Sequence, residues 1–352
     1  MTIHNAITEL VGNTPLLRLN RFSQQFQLNV DLLAKLEYFN PNHSIKDRIA
    51  LSMIEAAERS GQLKPGVTLV DTTSGNTGIG LAAIAAAKGY KFRVYLHDKL
   101  SAERFVILSA FGAEIIPFSQ VPGFDKILEE SDGDFVAAAK WLAENVILKE
   151  PNIFFTYQLE NPANPQAHYH STGPEIWQQS AGQVDIVIAS VGTGGTLSGT
   201  GKYLKQLKPD IKLIAVEPGI HSIPDRENPD AKEITGVHAF STVLPERVPL
   251  TLDRELFDEV VSVESWQAVQ AAREVATTDG ILIGESSGAV LYAAREIARR
   301  PENSGKRIVT ILADSGLTYL STGLYDPQLS IEQIKVQALL KSRAIEFVET
   351  SF

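Results

Sequence analysis

The chain contains no cysteine, which excludes disulfides, a thiolate nucleophile and any cysteine-ligated metal. A nucleophile must then be serine, threonine, lysine, a carboxylate or a cofactor. Long apolar runs are also lacking, since the longest weakly interrupted one, residues 79–87, is rich in alanine and glycine and far short of a bilayer span. Positive charge is in deficit: 32 Lys and Arg stand against 42 Asp and Glu, a formal net charge of -10, with no local basic patch. That balance repels nucleic acid and anionic membranes as partners. Residues 1–12 carry Glu9 and no basic stretch ahead of an apolar one, so no secretory signal is expected and the reading is a soluble, cytoplasmic protein. His168 and His170 have alternate spacing but no evident third ligand, so no metal site is expected.

What is present is a globular composition, 44% hydrophobic and 21% charged over 352 residues, long enough for one large or two closely joined domains. Short β-rich runs alternate with alanine-rich helical runs, the pattern of parallel strands joined by crossover helices, and the fold class is therefore α/β. Strands are expected at 31–36, 67–71, 92–96, 114–118, 186–190, 212–217 and 308–312. Helices are expected at 45–60, 77–88, 102–111, 134–146, 174–180, 197–207, 265–278 and 289–299. Gly61, Gly89, Gly112 and Gly280 stand where left-handed helix caps belong. Two loops are expected: an acidic, exposed one over 123–134 and a long, Pro-rich covering loop over 219–248. The tail, 330–352, reads as a terminal helix or strand packed on the surface or on another subunit.

Two polar turns carry the first chemical signal. Ser190-Val191-Gly192-Thr193-Gly194-Gly195-Thr196-Leu197-Ser198 follows one expected strand and opens a helix. Its glycines let backbone N–H groups converge, Thr193 and Thr196 add hydroxyls, and the helix presents its positive end, which makes a phosphate cradle. It does not match the nucleotide-triphosphatase pattern, because Gly201-Lys202 is followed by Tyr203. A tight turn needing glycine for packing alone is the plainer alternative. The second turn, Asp71-Thr72-Thr73-Ser74-Gly75-Asn76-Thr77-Gly78-Ile79-Gly80, offers hydroxyl and amide donors beside a helix start and suits a carboxylate. Caps and turn formers would explain it without a ligand. A rival lies in Gly78, Gly80 and Ala83, which match a variant of the dinucleotide fingerprint with Asp98 near the ribose-binding distance. That rival implies a nicotinamide oxidoreductase, although five polar residues separate the strand from Gly78.

The third signal is Asn40-Pro41-Asn42-His43-Ser44-Ile45-Lys46-Asp47-Arg48 at a helix entry, where Ser44 and Asp47 have the spacing of a capping box. Lysine in the first turn opposes the helix dipole, so Lys46 asks for another explanation, and a desolvated lysine forms a Schiff base with an aldehyde. Taken alone, such a lysine is more often a solvated surface residue, and Lys46 gains force only from the two anion sites. The fourth comprises Leu312-Ala313-Asp314-Ser315-Gly316 and Gly284-Glu285-Ser286-Ser287-Gly288, both polar turns at the ligand-binding edge of a parallel sheet.

Together with Leu10-Val11-Gly12-Asn13-Thr14-Pro15-Leu16, these motifs resemble the cysteine synthase (O-acetylserine sulfhydrylase) and cystathionine beta-synthase family of fold-type II pyridoxal phosphate enzymes. The resemblance runs nearly the whole chain, to Thr322. It implies two three-layer α/β/α domains with mostly parallel sheets, like the tryptophan synthase beta chain. The smaller covers 42–157 with about the first 12 residues, the larger 13–41 plus 158–329, and 330–352 is a tail. It implies that Lys46 holds pyridoxal 5'-phosphate as an internal aldimine, and that Gly192, Thr193, Gly194, Gly195 and Thr196 hold the phosphate. Asn76 would touch the ring hydroxyl and Ser315 the pyridine nitrogen. Thr73, Ser74, Asn76, Thr77 and Gln158 would hold the amino-acid carboxylate. The implied reaction is β-replacement through an aminoacrylate, foremost O-acetylserine plus sulfide giving cysteine and acetate, in a homodimer.

Departures from the family pattern bear on the substrates. The usual Gly-Ile-Gly-Ala-Gly-Phe segment reads Gly236-Val237-His238-Ala239-Phe240-Ser241, and Gly236 and His238 would border the β-substituent and the incoming nucleophile. Glu285 stands where a small or apolar residue is usual, and Leu317-Thr318-Tyr319 replaces Glu-Arg-Tyr. The alternatives left open are other donors or acceptors, as in cystathionine or lanthionine formation or cysteine desulfhydration, and a non-catalytic amino-acid-binding protein.

Overall fold

The computed structural model describes residues 3–325 apart from 74, 97–100, 131–134, 225–227, 229, 244, 246 and 247. The expected tail at 330–352, and with it Ser74 and Asp98, lies outside the described residues. Among those described, ten strands make two sheets. The larger contains β1 (Leu16–Arg18), β2 (Asp31–Leu36), β7 (Ile186–Ser190), β8 (Lys212–Pro218), β9 (Glu259–Val263) and β10 (Arg307–Leu312). Their order is β1-β2-β10-β7-β8-β9, with β1 antiparallel and the rest parallel. The smaller sheet is wholly parallel, β5-β4-β3-β6, from β3 (Thr68–Thr72), β4 (Lys91–Leu96), β5 (Glu114–Pro117) and β6 (Ile153–Phe155).

The connecting helices are α1 (Asn20–Gln25), α2 (Lys46–Ser60), α3 (Asn76–Lys88), α4 (Ala102–Ala110), α5 (Phe124–Glu130) and α6 (Phe135–Asn145). They continue with α7 (Ala163–Ala167), α8 (Gly173–Gln179), α9 (Gly195–Leu207), α10 (Ser265–Thr278) and α11 (Glu285–Ala298). Strand alternation shows why helices cover both faces of each sheet. Ile186 and Ile188 of β7 pack with α10 and α11, whereas Val187 and Ala189 pack with α8 and α9. In the smaller sheet Leu69 joins the core against α2 and α3, and Val70 joins the one against α5 and α6. The α/β class and mostly parallel sheets are therefore as expected.

Gly61, Gly89, Gly112 and Gly280 all adopt the left-handed conformation, with φ of 75°, 78°, 77° and 70°. Two expectations are corrected. The stretch 123–134 is not a plain exposed loop: α5 occupies Phe124–Glu130, because Phe124 and Ile127 recur at helical spacing and the buried Phe124 ring stacks on Phe118 at 4.3 Å. Ser44 and Asp47 do not form a capping box either. Ser44 Oγ accepts from Lys46 N at 3.2 Å, while the Asp47 carboxylate turns back to accept from Asn42 N at 2.7 Å. No described helix is long and apolar enough to cross a membrane.

Candidate active site

The C-terminal ends of β3, β7 and β10 place three polar turns at sheet edges where α/β proteins bind ligands. Residues 43–45 enter the same region by pairing with the turn after β10: Ile45 N donates to Ala313 O at 2.8 Å and Ser315 N to His43 O at 3.1 Å. His43 holds a left-handed backbone, φ 61°, immediately before this pairing, the kind of strain found where structure is committed to a site. Lys46 is thereby the first residue of α2. Burial draws its pKa down, while the carboxylates of Asp314 and Glu37 pull it back up.

The turn after β7 is built around absent side chains. Gly194 caps α9 with φ 82° and has no side chain to offer, so only the first N–H of the helix, that of Gly195, is met by a nearby side chain, the Thr193 hydroxyl at 3.3 Å. A Cβ on Gly192 would lie 2.5 Å from Gly236 O, one on Gly194 2.3 Å from Leu252, and one on Gly195 2.1 Å from Asn164 Oδ1. Thr193 is fixed from two sides: Asn164 Nδ2 donates to its hydroxyl at 3.0 Å and Thr251 Oγ1 to its carbonyl at 2.6 Å. Thr196 Oγ1 lies 3.3 Å from His168 Nε2, and His168 Nδ1 lies 2.9 Å from Thr172 Oγ1. His168 reaches α9 from a wide π turn, His168–Thr172, between α7 and α8. Burial, then Arg48 and Lys46, hold its pKa well below the ordinary value, so the imidazole is neutral.

The turn after β3 leads into α3, whose cap Gly75 likewise makes no side-chain cap bond. Thr73 is buried, and Thr77 Oγ1 donates to Gln158 Oε1 at 2.7 Å, which joins two of the expected carboxylate-binding residues. Tyr157, left-handed at φ 53°, turns the chain into Gln158. Asn76 Nδ2 donates to Asp314 Oδ2 at 2.7 Å and so ties α3 to the turn after β10. Gly78 and Gly80 lie within α3 rather than in the strand-to-helix turn, and a Cβ on Gly80 would crowd Lys46 O and Asp47 Oδ1. Gly80 serves close packing of α3 on α2, and Gly78 close packing against Thr73 and Leu108, so neither makes a dinucleotide turn.

Ser315 is buried, and its Oγ accepts from Leu317 N at 3.2 Å, which leaves the hydroxyl proton for another partner. Beside it Asp314 also accepts from Tyr319 OH at 2.6 Å, while its Oδ1 has no partner. Burial pushes the Asp314 carboxyl up, with Tyr319 and Asn76 opposing. His238 and Gly236 lie on the segment that crosses the turn after β7: His238 N donates to Val191 O at 2.8 Å. Asn164 and Thr251 carry no signal in the sequence, and nothing there assigns Asp314 or His168 these contacts, which arise from the turn after β10, the α7–π turn segment and the loop that carries Thr251.

A model of the pyridoxal-phosphate dependent enzymes matches residues 7–314. The chain belongs to this family. A cysteine synthase of Staphylococcus aureus (strain Mu50 / ATCC 700699) is 43% identical over 320 residues, covering 91% of this chain and 96% of that protein. Among solved structures, a cysteine synthase from Entamoeba histolytica superposes with a TM-score of 0.78 at 37% identity, covering 92% and 91% of the two chains. A hydrogen sulfide-producing enzyme from Fusobacterium nucleatum does so with 0.79 at 35%, covering 91% and 99%.

As a pyridoxal-phosphate dependent enzyme, the chain must house a phosphate, an aldehyde and a pyridine ring, and its residues fit all three. The 192–196 turn admits only glycine at 192, 194 and 195, where a Cβ would strike Gly236, Leu252 or Asn164, and this close-packed backbone leads into the positive end of α9, which suits a phosphate. Lys46 has a depressed pKa and so a more available lone pair. Ser315 retains a proton to donate.

Proposed function

We propose that this chain is a cysteine synthase, replacing the acetate of O-acetylserine by sulfide. The observation that carries the reading is Lys46, embedded at the head of α2 with a lowered pKa, together with the starts of α3 and α9, each with glycine as its cap residue, whose positive ends suit anions. The S. aureus and E. histolytica relatives, both cysteine synthases by name, support it.

When bound, the cofactor supplies an aldehyde that captures amines and a conjugated ring that holds the electron pair left at the substrate α-carbon. In this reading Lys46 Nζ would hold the cofactor through its aldehyde, and as a free amine would take and return the substrate α-proton. Gly192, Thr193, Gly194, Gly195 and Thr196 hold the phosphate by N–H groups and hydroxyls, with the α9 dipole supplying the compensating field. Thr73, Ser74, Asn76, Thr77 and Gln158 hold the substrate carboxylate. Asn76 also meets the ring hydroxyl, and Ser315 meets the pyridine nitrogen with a neutral hydroxyl, which favours elimination over transamination. Gly236 and His238 border the β-substituent. The reading includes a division into a substrate-loop domain, 42–157 with about the first 12 residues, and a phosphate-binding domain, 13–41 plus 158–329. It includes a homodimer working in the cytoplasm, as the resemblance implies.

The test is the absorbance spectrum of the purified protein before and after O-acetylserine. A yellow protein whose band shifts with the donor, and is restored by sulfide with release of cysteine, is the expected result. A Lys46→Ala variant should lose covalent cofactor and turnover together. A wild-type protein that remains colourless with added pyridoxal phosphate would overturn the reading.

A further inference from the structure

Residues 235–241 form a strap whose main chain is anchored at Thr235, Val237, His238, Phe240 and Ser241. Thr235 N and Oγ1 both donate to Glu285 Oε2, at 3.0 and 2.7 Å, from the buried first residue of α11. Gly236 O fills the space beside Gly192, and His238 N bonds Val191 O. Phe240 N and Ser241 N donate to Glu217 Oε2 at 3.1 and 3.0 Å, and Ser241 Oγ donates to the same carboxylate. Between these anchors the His238 side chain is solvent-accessible, and no hydrogen bond of its ring is found among the described residues. A ring this well placed and this unengaged faces something that arrives from outside.

We propose that His238 is a further catalytic residue: its ring takes the proton of the incoming nucleophile, which fits the site to thiols or amines as acceptors besides sulfide. The proposal rests on the β-replacement reading and names the acceptor class. The nucleophile's X–H bond breaks and its electron pair forms the X–Cβ bond. The pair of the substrate's Cα–Cβ double bond moves to Cα, which takes the proton held by Lys46 since the elimination. The proton from X stays on His238 and leaves to solvent. Surrounding protein and the positive charge of Lys46 draw the His238 pKa down, so the imidazole is neutral while Lys46 is charged. Once Lys46 gives its proton to carbon that repulsion ends, and the site carries one positive charge throughout.

Lys46, from α2, is the charged group that acts on His238. Asp314 acts on Lys46, Glu285 acts on Glu233, and Glu217 is engaged by Phe240 and Ser241. Sulfide, partly ionised in neutral water, has the least need of a base. The solved relatives of near-equal TM-score, 0.77 to 0.79, include an O-ureido-L-serine synthase as well as a hydrogen sulfide-producing enzyme, so this fold admits different chemistry at the residues that line it.

The experiment uses the holoenzyme and His238→Gln in stopped flow, with O-acetylserine as donor and either sulfide or 2-mercaptoethanol as acceptor. The donor-induced absorbance change should stay within about twofold of wild type, while its decay with 2-mercaptoethanol slows about a hundredfold and with sulfide less than about threefold. The acidic limb of the thiol pH profile should vanish in the variant, and the imidazole C2–H resonance that disappears with His238 should titrate below the ordinary histidine value. Thr235→Val, which removes one fixing of the strap, should slow the thiol decay alone. Equal slowing with both acceptors, or an acidic limb that persists in His238→Gln, would overturn the proposal. A wild-type holoenzyme whose spectrum ignores the donor would instead overturn the β-replacement reading, and this proposal with it.

Discussion

Glycine at Gly195 does what no other residue can do there. Asn164 Oδ1 lies 2.1 Å from where a Cβ would stand and has no hydrogen-bond partner of its own, so a methyl group must displace the side chain that steadies Thr193. Gly195→Ala should therefore weaken pyridoxal phosphate binding by at least about tenfold, roughly 1.4 kcal/mol, measured by titrating apoenzyme with cofactor. An unchanged dissociation constant would place the phosphate elsewhere. Glycine turns of this sort are legible in a sequence because only glycine fits them, and the turn at 192–196 was read on that ground. His168 was not, since a lone histidine carries no address, and its bond to Thr196 exists only because a π turn points the ring at α9.

At the scale of elements, buried and alternating strands were readable to within a residue or so, and β2, β7 and α10 fall on the expected bounds. The elements not foreseen are short or peripheral. Strands β1 and β6 have three residues each, and β9 is an edge strand with alternate residues exposed, so none offers a continuous apolar run. Equally unannounced is the ion network that locks α2 to β2 and α8. Arg48 Nε donates to Glu37 Oε2 at 2.7 Å and Nη1 to Glu175 Oε1 at 2.6 Å, while the fully buried Lys35 donates to Glu175 Oε2 at 2.6 Å. Arg48→Met leaves Glu37 charged in the interior and should cost about 3 to 5 kcal/mol in denaturant unfolding. Burial alone would raise the Glu175 carboxyl, but Arg48 and Lys35 outweigh it and hold it at about 2, from an ordinary 4.5. The stability Glu175 contributes is thus complete above pH 4.5 and lost as pH falls toward about 2. Glu175→Gln should lose most of its deficit relative to wild type across that window, and a deficit constant with pH would refute the assignment.

For the whole molecule, directed bonds join the two sheets beyond the Arg48 network. Asn76 to Asp314, Thr77 to Gln158, and Ser321 N to Glu103 Oε1 at 3.0 Å each run from the smaller sheet's helices to the segments after β6 and β10. A ligand lodged between Lys46 and the 192–196 turn touches both sides of this seam, so it should stabilise the fold as a unit. Holoenzyme should melt above apoenzyme, with a gain of about 2.7 kcal/mol when free cofactor is 100-fold over its dissociation constant. Scanning calorimetry of the two forms checks this, and coincident melting would argue against a cofactor at the seam.

The π turn has a further consequence, best put as phase. From Ala163 to Gln179 the chain is helical throughout, and Asn164 and His168 before or at the wide turn look toward α9, while Glu175 after it looks toward Arg48. The turn holds one residue more than an α-helical turn does, and that residue sets the angle between the two halves. Shortening the stretch by a single codon would restore a regular helix and rotate Glu175 by about 100° relative to Asn164, so that the segment could serve the phosphate turn or the ion network but not both. Along this stretch of the gene, length is constrained as firmly as the residues Asn164, His168 and Glu175 themselves.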